Sequence, residues 1–95
     1  MFKDLDPILH SQLRLSIVST LMTVDDANFN FIKDTTNATS GNISIQIKKL
    51  QEAGYIKVEK SFKNNYPNTM VSITKKGLEA FKNYVNNLRK YITPS

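Results

Sequence analysis

The stretch Thr39–Ile56, TSGNISIQIKKLQEAGYI, decides the fold because the period of the apolar residues changes at its end, after Gly54. In the first part, Ile43, Ile47 and Leu50 recur at the three- or four-residue spacing of one helical face. Beyond Gly54, apolar and charged residues alternate in the run IKVE (56–59), which is typical of a strand. The stretch therefore predicts a helix over residues 40–53 that leads almost directly into a strand.

The ends of this helix carry residues that favour helix boundaries. Thr39 or Ser40 offers a side-chain oxygen to the first free N–H groups, and Gly54 allows the left-handed conformation that often ends a helix. After the glycine, apolar and polar residues alternate, the polar segment KNNYPN (63–68) follows, and alternation then resumes. We predict a β-hairpin with a six-residue tip.

Two helices are predicted before this stretch. Residues 13–21 carry an apolar stripe at helical spacing, and Ser11 is suited to cap it. The second helix is short, and we expect Asn30 to cap it and Asn37 to end it. The segment TVDDAN between the two helices is expected to be a polar connection.

A final helix is predicted over residues 75–92, with Thr74 at its N-cap. Its apolar residues follow alternating steps of three and four, and the first of them should pack on the rest of the chain. The stripe continues further than so small a core can cover, which favours a partner helix in a homodimer. The predicted dimer interface consists of Phe81, Tyr84, Val85, Leu88, Tyr91 and Ile92.

Composition limits both the architecture and the partners. The 95 residues suit one domain, residues 1–95. Residues 1–47 carry three basic and five acidic side chains, whereas residues 48–95 carry ten basic and three acidic ones, so the net charge of +5 arises in the second half. Such asymmetry is typical of proteins that bind a polyanion such as nucleic acid, although many basic proteins are merely kept soluble by their charge.

Several classes of function are disfavoured by residues that the sequence lacks. It has no cysteine, which excludes disulfides and thiolate metal sites and suits a cytoplasmic protein. It has one histidine, His10, which we interpret as a packed or interface residue, and no glycine-rich phosphate loop. We therefore expect no enzyme, no cofactor and no metal site. No segment approaches the ~20 apolar residues of a membrane span, so we expect no membrane partner.

Three runs of the sequence resemble a known group of regulators. LDPILHSQLRLSIVSTL, GNISIQIKKLQEAGYIKVEKSF and TMVSITKKGLEAF are similar to segments of small winged helix-turn-helix transcriptional regulators of the ArsR/MarR type. The resemblance covers nearly the whole chain. It implies a mainly α fold with a small β-hairpin, a homodimer that places one recognition helix per subunit in a major groove, and a hairpin, the wing, on flanking DNA.

The predicted helix 40–53 has an outward face that suits a major groove. Asn42 offers an amide of the kind that pairs with adenine, Ser44 can bond a base edge or a phosphate, and Ile45 can contact a thymine methyl group. Each of these side chains is also compatible with an ordinary solvated surface. The residues predicted to contact DNA are Thr39, Ser40, Asn42, Ser44, Ile45, Lys48 and Lys49.

The predicted wing, residues 62–68, departs from its relatives, which often carry arginine at the tip. Asparagine, tyrosine and lysine can still bond phosphates or base edges. A plain turn, in which Asn and Pro only shape the backbone, fits the same residues equally well. The candidate wing contacts are Lys60, Lys63, Asn64, Asn65, Tyr66 and Asn68.

The predicted function is regulation of transcription by a homodimer that represses by occluding a palindrome in double-stranded DNA. A small-molecule effector could bind between the DNA-binding part and the dimer helices, but no residue identifies a ligand. The alternative is a winged-helix protein–protein interaction module that does not read DNA. In that case an acidic partner would meet the lysines, and Ile45 would anchor the interface.

Overall fold

Residues 2–93, the part of the chain described by a computed structural model, fold into four helices and three short strands. In chain order these are α1 (Gln12–Leu21), β1 (Ala27–Asn28), α2 (Phe29–Thr36), α3 (Ser40–Glu52), β2 (Ile56–Lys63), β3 (Tyr66–Ile73) and α4 (Lys75–Ile92). The strands form one antiparallel sheet in the order β1-β3-β2. Within residues 2–93, no helix has the length and apolar character needed to cross a membrane.

The helix boundaries follow from local hydrogen bonds. Thr39 Oγ1 accepts a hydrogen bond from the Asn42 N–H at 3.2 Å, so Thr39 is the N-cap of α3. Gly54 has a φ of 80° just beyond the end of that helix, as its position predicted. Ser11 and Thr74 cap α1 and α4, which confirms those two predictions as well.

The segment TVDDAN contains structure that was not predicted. Ala27 pairs with Val71 and starts the short strand β1, so the polar connection ends in the sheet. The predicted cap of α2 is wrong: Asn28, not Asn30, is the N-cap, and its Oδ1 accepts a hydrogen bond from the Phe31 N–H at 2.7 Å. Asn28 is thus both the last residue of β1, where it pairs with Met70, and the N-cap of α2.

The hairpin is longer than predicted and its tip is shorter. β2 and β3 pair as far as Lys63 and Tyr66, so the tip contains Asn64 and Asn65 rather than six residues. Both have a positive φ, 51° and 66°, which a type I′ turn requires and which asparagine tolerates better than most residues. Asn37 adopts the same conformation at the end of α2, as predicted, with a φ of 56°.

The hydrophobic core lies where α1, α2 and α3 pack on the sheet and on the N-terminal segment. Ile43, Ile47 and Leu50 are all buried, as their spacing predicted, so α3 must turn its opposite face to solvent. The largest fully buried side chains are Leu9, Ile17, Val18, Leu21, Ile32, Ile43, Leu50 and Val71.

Tyr55, just after α3, joins three segments of the chain. Its carbonyl accepts a hydrogen bond from the Thr74 N–H at 3.0 Å, and its hydroxyl donates to the carboxylate of Asp6. Gly77 lies so close that an added Cβ would be 2.1 Å from the Tyr55 carbonyl oxygen. Burial, together with the hydrogen bond and negative charge of Asp6, raises the pKa of Tyr55 to about 12, so its hydroxyl stays a donor at neutral pH.

Helix α4 has the predicted bounds, but its buried face is centred on Tyr84. This side chain is 4% exposed, and its hydroxyl lies 3.1 Å from His10 Nδ1. Phe81 and Leu88 are partly buried against the core, whereas Ile92, at the end of the helix, is 72% exposed. Most of α4 thus packs on its own chain, whereas Ile92 extends into solvent.

Candidate nucleic-acid interface

The outward side of α3 carries all seven residues that were predicted to contact DNA from the recognition helix. Ile45 is 55% exposed, even though its neighbours Ile43 and Ile47 are buried. The polar members are exposed too. We call this surface the α3 outer face; it consists of Thr39, Ser40, Asn42, Ser44, Ile45, Lys48 and Lys49.

The start of α3 is open to close approach. A Cβ added to Gly41 would meet no heavy atom within 4 Å, so no other part of the described chain covers this turn. Helix N-termini present N–H groups and a partial positive charge, which suit a phosphate. Lys48 and Lys49 add two formal charges about two turns further along the helix.

Gln46 was not among the predicted site residues, yet it contacts one of them. Its Nε2 donates a hydrogen bond to Asn42 Oδ1 at 3.2 Å, and its Oε1 accepts one from Arg14 Nη1 at 2.6 Å. The four-residue spacing of Asn42 and Gln46 is a sequence signal for an amide pair on one helical face. Arg14 lies 32 residues from Gln46, so helical periodicity could not reveal their contact.

Alternate residues of the wing lie on opposite sides of the hairpin. Val58, Lys60 and Phe62 share one side, and Asn64 and Asn65 form the tip. The remaining predicted wing residues, Lys63, Tyr66 and Asn68, share the other side. The predicted wing set is therefore divided between the two sides and the tip.

The side of the wing that carries Lys60 adjoins α3. Val58 and Lys60 line a groove together with Ser44 and Lys48 of α3. Phe62 follows Lys60 on the same side and is 78% exposed. The α3 outer face and this side of the wing therefore form one continuous basic surface with an exposed aromatic ring near its end.

The residues predicted for the dimer interface differ in their surroundings. Tyr84 is directed into its own chain, and Phe81 and Leu88 are partly covered by the same core. Tyr91 stacks on Phe2 with ring centroids 4.7 Å apart and donates a hydrogen bond to the Lys3 carbonyl at 2.8 Å. Of the predicted interface residues, Val85 is half-buried outside the core cluster, and only Tyr91 and Ile92 are exposed.

The single histidine, His10, lies beside Tyr84 but is not buried. Its ring is exposed, and the His10 and Tyr84 ring centroids are 6.2 Å apart, so of the packed or interface roles expected for it the first is not supported. Between Phe2 and Thr93, no group of three or more His, Asp or Glu side chains is placed to hold a metal ion.

Comparison with known proteins agrees with this geometry. Residues 13–92 match the family described as winged helix DNA-binding domain. The chain belongs to that family. This winged-helix protein is similar to the transcriptional regulator homologue protein from Pyrococcus horikoshii OT3, with a TM-score of 0.83 and 32% identity over 90% of this chain and 84% of that chain. It is also 37% identical to an uncharacterized protein of Methanocaldococcus jannaschii over 78 residues, covering 82% of this chain and 85% of that protein.

The winged-helix fold is shared with larger MarR-family regulators. AbsC, a MarR family transcriptional regulator from Streptomyces coelicolor, aligns with a TM-score of 0.72 over 90% of this chain and 61% of its own. At 18% identity this likeness shows the fold alone. The predicted fold class and the predicted type, a small winged helix-turn-helix transcriptional regulator, are confirmed by the family match and these structures.

Proposed function

We propose that this winged-helix regulator is a homodimeric repressor that binds a palindromic site in double-stranded DNA and acts by occlusion. The observation that carries the proposal is the continuous basic surface formed by the α3 outer face and the Lys60 side of the wing. A helix fits the width of the major groove, and a hairpin beside it then reaches the flanking backbone or minor groove.

In the proposed complex the members of the α3 outer face divide their roles by chemistry. Asn42, Ser44 and Ile45 contact base edges, with Ile45 against a thymine methyl group. Lys48 and Lys49 neutralise phosphates, which supports affinity on any sequence. Thr39 and Ser40 bond phosphates at the start of the helix, where the open turn at Gly41 leaves room for the backbone.

Selection of genomic duplex fragments by the purified protein tests this function. We expect the enriched fragments to share an inverted repeat with half-sites about 10 base pairs, or a multiple, apart. On these fragments Lys48→Ala should weaken binding and lower the slope of log affinity against log salt by about one unit, because one phosphate contact is lost. Fluorescence anisotropy over a range of salt concentrations measures both quantities.

Lys57→Ala is the matched control for the loss of one positive charge. Lys57 lies on the opposite side of the hairpin from Lys60 and is paired with Glu59 at 2.7 Å. We expect its removal to leave the salt slope unchanged. Equal slopes for Lys48→Ala and the wild type, or the absence of any enriched repeat, would contradict the proposal and favour the protein-interaction alternative.

The wing offers an apolar contact in place of the arginine common in related wings. Phe62 lies four residues beyond Val58 on the same side of β2, which at ~3.3 Å per residue places it about 13 Å further from the core. An exposed ring beside Lys60 suits a minor groove, where apolar side chains insert between base steps and kink the duplex. We propose that Phe62 makes such a contact with DNA that flanks the α3 site.

Phe62→Ala is expected to lower affinity for the selected site about 10-fold, because aromatic contacts to bases are worth ~1–3 kcal/mol. It should also remove any preference for flexible pyrimidine–purine steps in the flank. Tyr66→Ala is the control, since Tyr66 is 74% exposed and lies on the opposite side of the same hairpin. Fluorescence of 2-aminopurine at the flanking step reports unstacking. The same unstacking signal with Phe62→Ala as with the wild type would exclude insertion.

A further inference from the structure

A chain of hydrogen bonds connects α1 with Asn42 on the α3 outer face. Arg14 Nη1 donates to Gln46 Oε1 at 2.6 Å, and Gln46 Nε2 donates to Asn42 Oδ1 at 3.2 Å. Arg14 and Gln46 are half-buried, whereas Asn42 is exposed. This series of hydrogen bonds thus begins beside the core and ends at Asn42, on the face proposed to enter the major groove.

The Arg14 end of this chain is fixed by the N-terminal segment. Arg14 Nε donates a hydrogen bond to the Ile8 carbonyl at 2.6 Å. Asp6 Oδ1 in turn accepts one from the Ile8 N–H at 2.8 Å. Two donors of one planar guanidinium are therefore engaged at the same time, which limits its rotation.

The direction of each bond follows from the chemistry of Arg14. A guanidinium has only donors and stays protonated, so Gln46 must turn its oxygen toward Arg14. Its amide nitrogen then faces Asn42, which must accept with Oδ1. The Nδ2 group of Asn42 consequently carries the donors that remain for another partner. Arg14 thereby determines which end of the Asn42 amide is offered to a ligand.

We propose that Arg14 and Gln46 are positioning residues that make Asn42 read a hydrogen-bond acceptor, with guanine as the preferred base. The inference rests on the proposed function, because it requires α3 to lie in a major groove. Guanine presents two neighbouring acceptors there, N7 and O6, whereas adenine and thymine each present one acceptor and cytosine presents only a donor. Guanine therefore replaces the adenine that the residue type alone suggests for Asn42. An asparagine with no fixed orientation could turn either end of its amide toward the base.

Gln46→Glu tests the proposal because it reverses the direction of the hydrogen bond between residues 46 and 42. A carboxylate pairs with Arg14 and has only acceptors, so Asn42 would have to donate Nδ2 to it and present Oδ1 outward. We expect the preferred base at one position of each half-site to change from guanine to cytosine or adenine, by about 10-fold in relative affinity. Arg14→Met, which leaves Gln46 able to rotate, should instead broaden the preference at that position. Sequencing of selected duplexes and competition binding measure both effects.

Gln51→Glu is the matched control for charge. Gln51 is exposed on the same helix and lines the groove beside Lys48, so its substitution adds the same negative charge away from Arg14. We expect it to weaken binding without changing the preferred base. A loss of affinity with unchanged base preference for Gln46→Glu would overturn the positioning role while leaving the proposed function intact. A wild-type protein that selects no duplex would overturn both.

Discussion

Gly77→Ala is expected to destabilise the fold strongly. A Cβ at this position would lie 2.1 Å from the Tyr55 carbonyl oxygen and 2.9 Å from its carbonyl carbon. The obstacle is the backbone of Tyr55, which cannot move easily. The Tyr55 carbonyl accepts a hydrogen bond from the Thr74 N–H, and the Tyr55 hydroxyl donates one to Asp6. Relief requires a shift of α4 that breaks its own N-cap, where Gly77 N–H donates to Thr74 Oγ1 at 3.0 Å.

The expected loss in the free energy of unfolding is about 3 kcal/mol or more, which is a large share of the ~5–15 kcal/mol typical of a whole domain. Urea unfolding followed by circular dichroism measures it. Gly41→Ala is the control, because a Cβ there meets nothing within 4 Å and alanine favours a helix by ~0.5–1 kcal/mol. A Gly77→Ala protein that unfolds at the same urea concentration as the wild type would refute the role given to this contact.

The double substitution Val85→Glu and Ile92→Glu is expected to give a folded monomer that binds the selected palindrome at least ~100-fold more weakly. Ile92 is 72% exposed, and Val85 lines a shallow depression with Met22 and Phe81, so neither side chain is needed by the core of one protomer. In a dimer joined through α4, both glutamates would bury unpaired charge. One recognition helix then reads too few base pairs for tight binding.

Sedimentation velocity and duplex binding measure the two parts of this prediction. Lys90→Glu is the control, because it makes the same change of two units in net charge at an exposed position of α4. Lys90 lies roughly 140° around the helix from Val85 and 200° from Ile92. We expect this variant to remain dimeric. A wild-type protein that sediments as a monomer at the concentration at which it binds DNA would refute the dimer.

The parts of the fold that the sequence predicted are those set by nearby residues. Thr39, Thr74 and Gly54 act within one turn of their own positions, so the ends of α3 and the start of α4 could be deduced from residue type. Strand β1 could not be deduced from residue type. A two-residue strand shows no alternation, and this one is defined only by its pairing with β3, in which Ala27 lies opposite Val71.

The wing shows a related limit of sequence patterns. Its outer half has few apolar residues, so alternation gives no signal there, and the pattern alone predicts a six-residue loop. The two consecutive asparagines were the available signal, since positive φ at both positions sets a two-residue turn and hence the register of the whole hairpin. Turn chemistry was more informative here than hydrophobic pattern.

The candidate site also has a part that the sequence predicts and a part that it does not. The α3 outer face followed from a helical wheel, because three buried residues determine which side of a helix remains exposed. The links from Gln46 to Arg14 and from Tyr84 to His10 join residues 32 and 74 positions apart, and no local pattern encodes them. The orientation of Asn42 and the burial of Tyr84 therefore required the three-dimensional structure.

The contacts around Tyr55 affect which DNA sites the proposed dimer could bind. Thr74 Oγ1 also donates to the Gly54 carbonyl at 2.7 Å, so α4 starts within hydrogen-bond distance of the residues that end α3. These hydrogen bonds hold the helix proposed to read DNA and the helix proposed to join the protomers in one fixed relative orientation. One added base pair moves the second half-site by ~3.4 Å and turns it by ~34° about the duplex axis. A protomer without a hinge cannot follow that rotation, so the distance between half-sites should be as strict a requirement as the bases themselves.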